Sequence, residues 1–418
     1  MKSQFASAST LFLLSLITTT AFGQWQASSN GVFSSISQCF IETSNGSILS
    51  GTSNGIYRST SSGDNWSLSS TGIPSSDGTI LRFAKNGNRI FAGTREGVYY
   101  SDNDGVSWSL SEIFGFHVFG LEVISTQIFA GTMGAGIFKS TDNGISWSSS
   151  NNGLLTDSVY SLLVNGNDLL AGTYGEGIFL SSDQGSSWSQ EFSQSDPTIV
   201  RTLAATSNRL LAGVSQLVIP TAPFNSLYKS SDNGNSWTMF NYSGLPTIGN
   251  LPITALYSNG STVLLASNGQ IYRSIDNGIN WTAFMDGITS TTPYGIACFE
   301  ETSDYIFCGV EAGGAGPIFR ISKSQVLTSI SPPVTDSYMN LFPNPSDGTR
   351  VMMDYKLDRT LELKWLIFDN TGRLVFEKQI SESEGQIAIP ITLESGTYVS
   401  VLMSTNGFVK AEPLVVGR

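Results

Sequence analysis

Seven of the eight tryptophans in this 418-residue chain, Trp25, Trp66, Trp108, Trp147, Trp188, Trp237 and Trp281, fall 41, 42, 39, 41, 49 and 44 residues apart. A sustained period near 40 means one structural unit repeated and stacked on its neighbours. Each of the last six closes a segment of pattern S-x-D-x-G-x-x-W. Four copies are complete: Asp142, Gly144 and Trp147; Asp183, Gly185 and Trp188; Asp232, Gly234 and Trp237; Asp276, Gly278 and Trp281. In such a segment the carboxylate accepts backbone N–H bonds within a turn, Gly supplies a positive φ, and Trp brings a large flat surface to bury. Ser61 and Asn103 replace the Asp in the first two copies, so those turns are expected to be less well tied.

Upstream of each segment lie short apolar runs, such as Val159 to Val164, Leu169 to Thr173 and Gly177 to Phe179, punctuated by Asn-Gly, Gly-Asn and Asp-Asn-Gly. These are strand and tight-turn signals, and one period reads as four short strands. Charged residues are only 13%, about half the usual share of about 25%, and Gly reaches 43, which favours turns over helices. Four-stranded units of this length stack radially into a propeller. The seventh period, from about Thr291, has three apolar runs but lacks the segment and its Trp, whereas Trp25 to Gly31 closely resembles Trp147 to Gly153 with no strands before it. The amino terminus is therefore expected to supply the outer strand of the last blade, closing the ring and covering an exposed edge. The fold class is all-β: a seven-bladed β-propeller over 24–323, followed by a small immunoglobulin-like β-sandwich.

The repeated segment resembles the Asp-box, or BNR, repeat of sialidases, other glycoside hydrolases, photosystem II assembly-factor propellers and sortilin-like receptors. That resemblance implies the propeller fold and leaves the activity open.

Met1 to Gly23 carries a lysine, an apolar stretch from Leu11 to Ile17, and small residues at Ala21 and Gly23, the pattern of a signal peptide cleaved before Gln24. No apolar run approaches the roughly 20 residues of a membrane span. At the other end, Ser-Pro-Pro at 331–333 ends the repeat, so 324–337 is expected to be a linker and 338–418 a second domain with strand-like segments. Leu341-Phe342-Pro343-Asn344-Pro345, Ile367 to Val375, Gly396-Thr397-Tyr398 and the ending Pro413 to Arg418 resemble the type A sorting domain of the Bacteroidota type IX secretion system. The resemblance implies delivery across the outer membrane, with that machinery as a partner and the passenger released or held at the cell surface.

Lys and Arg total 21 against 33 Asp and Glu, a net charge of -12 with no basic run, which excludes sequence-independent nucleic-acid binding. One histidine, His117, and three cysteines make a His/Cys zinc site or a His-based triad hard to assemble. No cofactor is implied, no metal site is assigned, carboxylate-bound calcium stays open, and a monomer is expected. Ser101 to Gly105 lacks the terminal Glu of an EF-hand loop and reads as a degenerate copy of the turn. Cys39, Cys298 and Cys308 leave at least one thiol unpaired. Cys298 and Cys308, flanking one hairpin turn, are the best disulfide candidates, with free buried thiols an equal alternative.

Sialidases as a family carry an arginine triad and a Phe-Arg-Ile-Pro motif ahead of the first box. Here Phe319-Arg320-Ile321-Ser322 lies in the last blade, and Arg82 and Arg201 fall one residue apart in repeat register, so no such triad is visible. Loops joining second to third strands share one face with those joining blades. That face is assigned Arg95, Glu96, Met133, Tyr174, Glu176 and Glu311, with Phe114, Phe116, His117 and Asp157. Arg95, Glu96, Tyr174, Glu176 and Glu311 are the candidate ligand-binding residues, and no catalytic residue is assigned. A longer fifth-blade loop, Gln216 to Phe224, is a candidate partner contact, with a lid packed over its own blade an equal alternative. The expected function is a secreted, non-enzymatic binding module for a glycan, peptide or surface partner. The alternative is a glycoside hydrolase using two carboxylates from Glu96, Asp157, Glu176 and Glu311.

Overall fold

The computed structural model describes residues 24–327 and 338–416, except 35, 194–197, 217–224, 241–242, 246–251, 268, 289–294, 312–316, 343–350, 357–362, 370–372, 381–383, 389–392 and 405–406. The expected signal-peptide segment, the Ser-Pro-Pro stretch and the core of the fifth-blade loop lie outside the described residues. Two compact units divide the chain at Leu327.

The first unit contains seven four-stranded antiparallel sheets. The innermost strands are Ser37–Glu42, Ile80–Asn86, His117–Ile124, Val159–Asn165, Thr198–Ala205, Ile253–Asn259 and Ile296–Glu301. Six sheets are built from consecutive strands. The seventh runs Ile296–Glu301, Tyr305–Val310 and Ile318–Ser322, and its outer strand is Gln26–Ala27, with Gln26 opposite Arg320 and Ala27 opposite Phe319. Trp25, 1% exposed, sits in the core shared by blades six and seven, and its indole N–H donates to the Phe284 carbonyl at 3.0 Å. The chain then adds a short helix, Lys323–Leu327, whose Val326 is buried in that core, so the propeller unit extends past the expected linker start at 324.

The repeated turn ties each blade to the one before. In the third blade the Asp142 carboxylate accepts the Ser146 amide at 2.9 Å and the Ser140 hydroxyl at 2.9 Å, and Ser140 Oγ in turn accepts the Gly144 amide at 2.8 Å. Trp188 N–H donates to the Asn152 carbonyl, and its indole N–H to the Ser150 carbonyl, at the outer edge of the preceding blade. Gly153 (φ +87°) receives that tryptophan: a Cβ there would stand 2.1 Å from the Trp188 carbonyl oxygen. Trp237 and Trp281 turn their indole N–H back to Gly234 and Gly278 of their own turns. The expected loosening at Asn103 does not occur, because its amide oxygen accepts the same two bonds, from Ser107 N and Ser101 Oγ, both at 2.9 Å. Ser61 keeps a bond from the Asn65 amide at 3.0 Å. Arg320 serves the seam between blades seven and one, donating to the Ser62 carbonyl and pairing with Asp64.

The turn hydroxyls and amides hold the Asp142 and Asp183 carboxyls down to about 2 and lower Asp232 as well. The unfolded chain takes up protons more readily at such groups, so their contribution is complete above about pH 4 and is lost as the pH falls toward about 2. Thermal melts across that window should show a falling midpoint. The drop should be smaller in an Asp142→Asn, Asp183→Asn double variant, and an identical drop would remove these turns as the cause.

Cys298 lies opposite Gly309 and Cys308 opposite Phe299, so the two thiols project to opposite faces of the sheet and the candidate disulfide is not formed. All three cysteines are free; burial pushes the Cys298 thiol up to about 12 and those of Cys39 and Cys308 well above their usual value.

The second unit is a sandwich. One sheet joins Tyr338–Phe342, Met352–Lys356 and Glu384–Ala388; the other is ordered Leu374–Ile380, Leu363–Phe368, Gly396–Ser404 and Gly407–Val416. Met353, Tyr355, Trp365, Ile367 and Leu414 fill its core, and Trp365 donates to Ser400 Oγ at 2.7 Å.

Candidate functional site

Each of the first four blades carries at or next to the end of its second strand a buried threonine, Thr52, Thr94, Thr132 or Thr173, whose hydroxyl donates to a glycine carbonyl across the loop, Gly55, Gly97, Gly136 or Gly177. The loop is thereby closed tightly, and the residue after the threonine is thrown onto the propeller face. Arg95, Met133 and Tyr174 occupy that position in blades two to four, and Glu311 follows the corresponding strand in blade seven.

Backbone bonds lace these loops to the blade-joining segments. Gly134 and Gly136 donate to the Asp157 carbonyl, Tyr174 N–H donates to Ser158, Gly175 to Thr198, and Glu311 to Gly295. Met133, His117, Asp157 and Tyr174 are thus brought together at blades three and four, because Met133 also lies opposite His117. Glu176 is in the same loop as Tyr174, and its carbonyl accepts from Gln190. Arg95 and Glu96 belong to blade two, where the Glu96 carbonyl accepts the Gly115 amide. Glu311 stands three blades from Tyr174, across the ring, so the five candidates do not form one cluster.

Two aromatic residues that the sequence reading omitted complete the site. His117, Phe119, Tyr160 and Tyr174 form a continuous row: His117 to Phe119 at 6.0 Å, Phe119 stacked on Tyr160 at 4.7 Å and 12°, and Tyr160 stacked on Tyr174 at 6.0 Å and 25°. All four keep exposed surface, Tyr174 at 40%. Phe119 and Tyr160 are the bulged residues of their inner strands, skipped between Val118 and Gly120 and between Val159 and Ser161. The same bulge recurs at Gln38, Leu81, Arg201, Thr254 and Ala297. Only in adjacent blades three and four is the bulged residue aromatic. Met133 (40%), Phe114 (56%) and Leu155 (64%) are also exposed among the loops of this region.

Along the ring axis the inner strands enclose a cavity of about 220 Å³ whose lining includes Gln38, Arg82, Glu122, Arg201 and Glu300. Glu122 and Glu300 hold the same register position, four residues after the buried Val118 and Ile296, which directly precede the bulge of their strands. Burial raises the Glu122 carboxyl to about 7 against the Val123 amide and Arg82, and burial reinforced by the charges of Glu122 and Glu301 raises Glu300 to about 8 against Arg82. Both side chains are only half-buried by surface area, but they line the narrow axial cavity, where hydration is poor. Among the described residues, no group of three His, Cys, Asp or Glu side chains is placed to hold a metal ion.

Residues 340–416 match the family described as the Secretion system C-terminal sorting domain. A search of curated proteins finds no match. Among solved structures, the chain is similar to the extracellular domain of BT4673 from B. thetaiotaomicron (TM-score 0.57, 14% identity, covering 91% of this chain and 52% of that one). It is also similar to a GH74 xyloglucanase from Xanthomonas campestris (0.56, 12%, 93% and 75%) and to YCF48 bound to D1 peptide (0.55, 16%, 72% and 96%). The chain spans about half the length of the BT4673 domain. At these identities the likeness speaks for the fold alone.

The fold and the matched tail define a class: a β-propeller carrying a secretion-system sorting domain. This protein is an extracellular propeller exported by the type IX secretion system to the cell surface or the medium. No helix among its described residues is long and apolar enough to cross a membrane.

Proposed function

We propose that the propeller is a non-enzymatic binding module that holds a glycan on its loop face, along the row His117, Phe119, Tyr160 and Tyr174. The observation that carries this reading is the near-parallel stacking of Phe119, Tyr160 and Tyr174 across two blades, with the row partly exposed. Flat aromatic faces offer apolar area to the C–H faces of sugar rings at little entropic cost, and the Tyr hydroxyls supply polar contacts at the rim. Arg95, Glu96 and Glu176 flank the row as polar contacts, while Glu311 serves a different sector.

The alternative, a glycoside hydrolase, draws support from the likeness to a GH74 enzyme. It requires two carboxylates on either side of a bound sugar, at about 5 to 9.5 Å. The carboxyls raised toward neutrality, Glu122 and Glu300, line a cavity of about 220 Å³, too small for an oligosaccharide.

A glycan array probed with the purified protein, beside a panel of chromogenic glycosides, tests the proposal. Binding without turnover is expected, weakened about tenfold or more by Tyr174→Ala as an aromatic anchor is removed. Turnover abolished by an acidic substitution would establish the hydrolase instead. Silence on glycans with binding to a peptide library would assign the row to a peptide.

A further inference from the structure

The axial cavity holds four charged side chains, Arg82 from blade two, Glu122 from blade three, Arg201 from blade five and Glu300 from blade seven. Among the described residues none of the four makes an ion pair with another. Arg82 Nη1 donates to the Leu81 carbonyl of its own strand at 2.8 Å, and Arg201 Nε is buried with no acceptor. A buried donor left unpaired, as Arg201 Nε is, costs its full desolvation. The lining otherwise offers neutral hydrogen-bonding groups, including Gln38 and Thr254, and the thiols of Cys39 and Cys298. What the cavity lacks is an acceptor shared between its two guanidinium groups.

We propose that this cavity is a binding site for a small oxyanion, a carboxylate or a tetrahedral oxyanion, held by Arg82 and Arg201 with the carboxyl groups of Glu122 and Glu300 donating to it in their protonated form. Guanidinium matches carboxylate and phosphate oxygens through paired N–H donors. A protonated carboxyl adds one O–H donor, whereas an ionised one repels the anion. Binding is therefore coupled to proton uptake.

The other titratable groups near the two acids do not change this sign. Glu301 pairs with Lys323 and accepts from Tyr257, and Cys39 and Cys298 are held in the neutral thiol form by burial. The site is separate from the aromatic row and stands or falls independently of the glycan reading.

Isothermal titration of the purified full chain with acetate and, separately, inorganic phosphate, at about pH 6 and about pH 9, brackets the range of the two acids. We expect at least one probe to bind at the lower pH, where both acids are already protonated, and to bind about tenfold or more weaker at the higher, where binding must take up protons from buffer; tenfold is the worth of one charge-assisted bond. Acetate alone would mark a planar carboxylate site and phosphate alone a tetrahedral one. Arg201→Gln should lose binding about tenfold. Glu300→Gln, which keeps an N–H donor without charge, should retain binding at the lower pH and flatten the pH dependence. Tyr174→Ala should leave anion binding unchanged. No heat with either probe at either pH, or binding indifferent to both Arg201→Gln and Glu300→Gln, would overturn the proposal.

Discussion

Replacing Trp25 with alanine is expected to destabilise the propeller by about 3 to 5 kcal/mol, the usual range for emptying a buried tryptophan site, which corresponds to a midpoint about 10 °C lower in a domain of this size. Trp25 is 1% exposed, its ring packs at 6.2 Å from Phe299 and 6.3 Å from Phe284, and its amide donates to the Asp286 carbonyl at 2.7 Å. Deleting residues 24–31 should act more severely, because it also strips the edge of Ile318–Ser322 and removes the Ser28 carbonyl that accepts the Trp66 indole at 2.6 Å. Calorimetric scans of both variants provide the check. Cooperative unfolding at the unaltered midpoint in the deletion would mean that the ring does not depend on its amino-terminal strand.

The second large effect concerns delivery. Removing residues 338–418 should leave a propeller that accumulates in the periplasm of the native host, with little reaching the surface or the medium, since the sorting-domain match lies within that stretch. Cell fractionation and immunoblotting of the truncated and full-length chains distinguish the outcomes. Normal surface delivery of the truncation would mean that the sandwich serves another purpose. The truncated propeller should still melt cooperatively, because its core closes within the unit ending at Leu327.

The ring closure was legible in the sequence because Trp25 to Gly31 closely resembles Trp147 to Gly153, sharing Trp, Ser, Asn and Gly at the same places, and the tryptophan missing from the seventh period left one place for it. The turns were legible for the same reason, since their chemistry is local: a carboxylate or an amide oxygen at one position meets the same two donors. What escaped was everything governed by the inner-strand bulge. A bulge leaves no mark in an apolar run, so an unbroken alternation assigned Phe119 and Tyr160 no special direction. Symmetry about the turn put Cys298 across from Cys308, whereas the turn pairs Glu301 with Ile306, which sets Cys298 against Gly309 and reverses its face. Glu122 and Glu300 escaped for a further reason, that a strand bearing one acid looks half-solvated until seven such strands close around a common axis. Of the candidates on the loop face, Tyr174 was reachable because a tyrosine after a strand-ending threonine is out of place in the core, whereas its stacking partners became visible only in three dimensions.

The closing strand also sets an order of events. Ser29 donates to the Ile318 carbonyl, a partner 289 residues further along the chain. The earliest part of the propeller can bond to blade one at once, through Ser28 and Asn30 to Trp66, but its strand Gln26–Ala27 has no partner until the latest part has been made, so six blades can form in sequence before the seventh has its outer edge. Closing so long a loop carries only a modest entropic penalty, but it postpones the contacts that compensate for it. Until that strand docks, the propeller is an open ring whose two ends are exposed as strand edges.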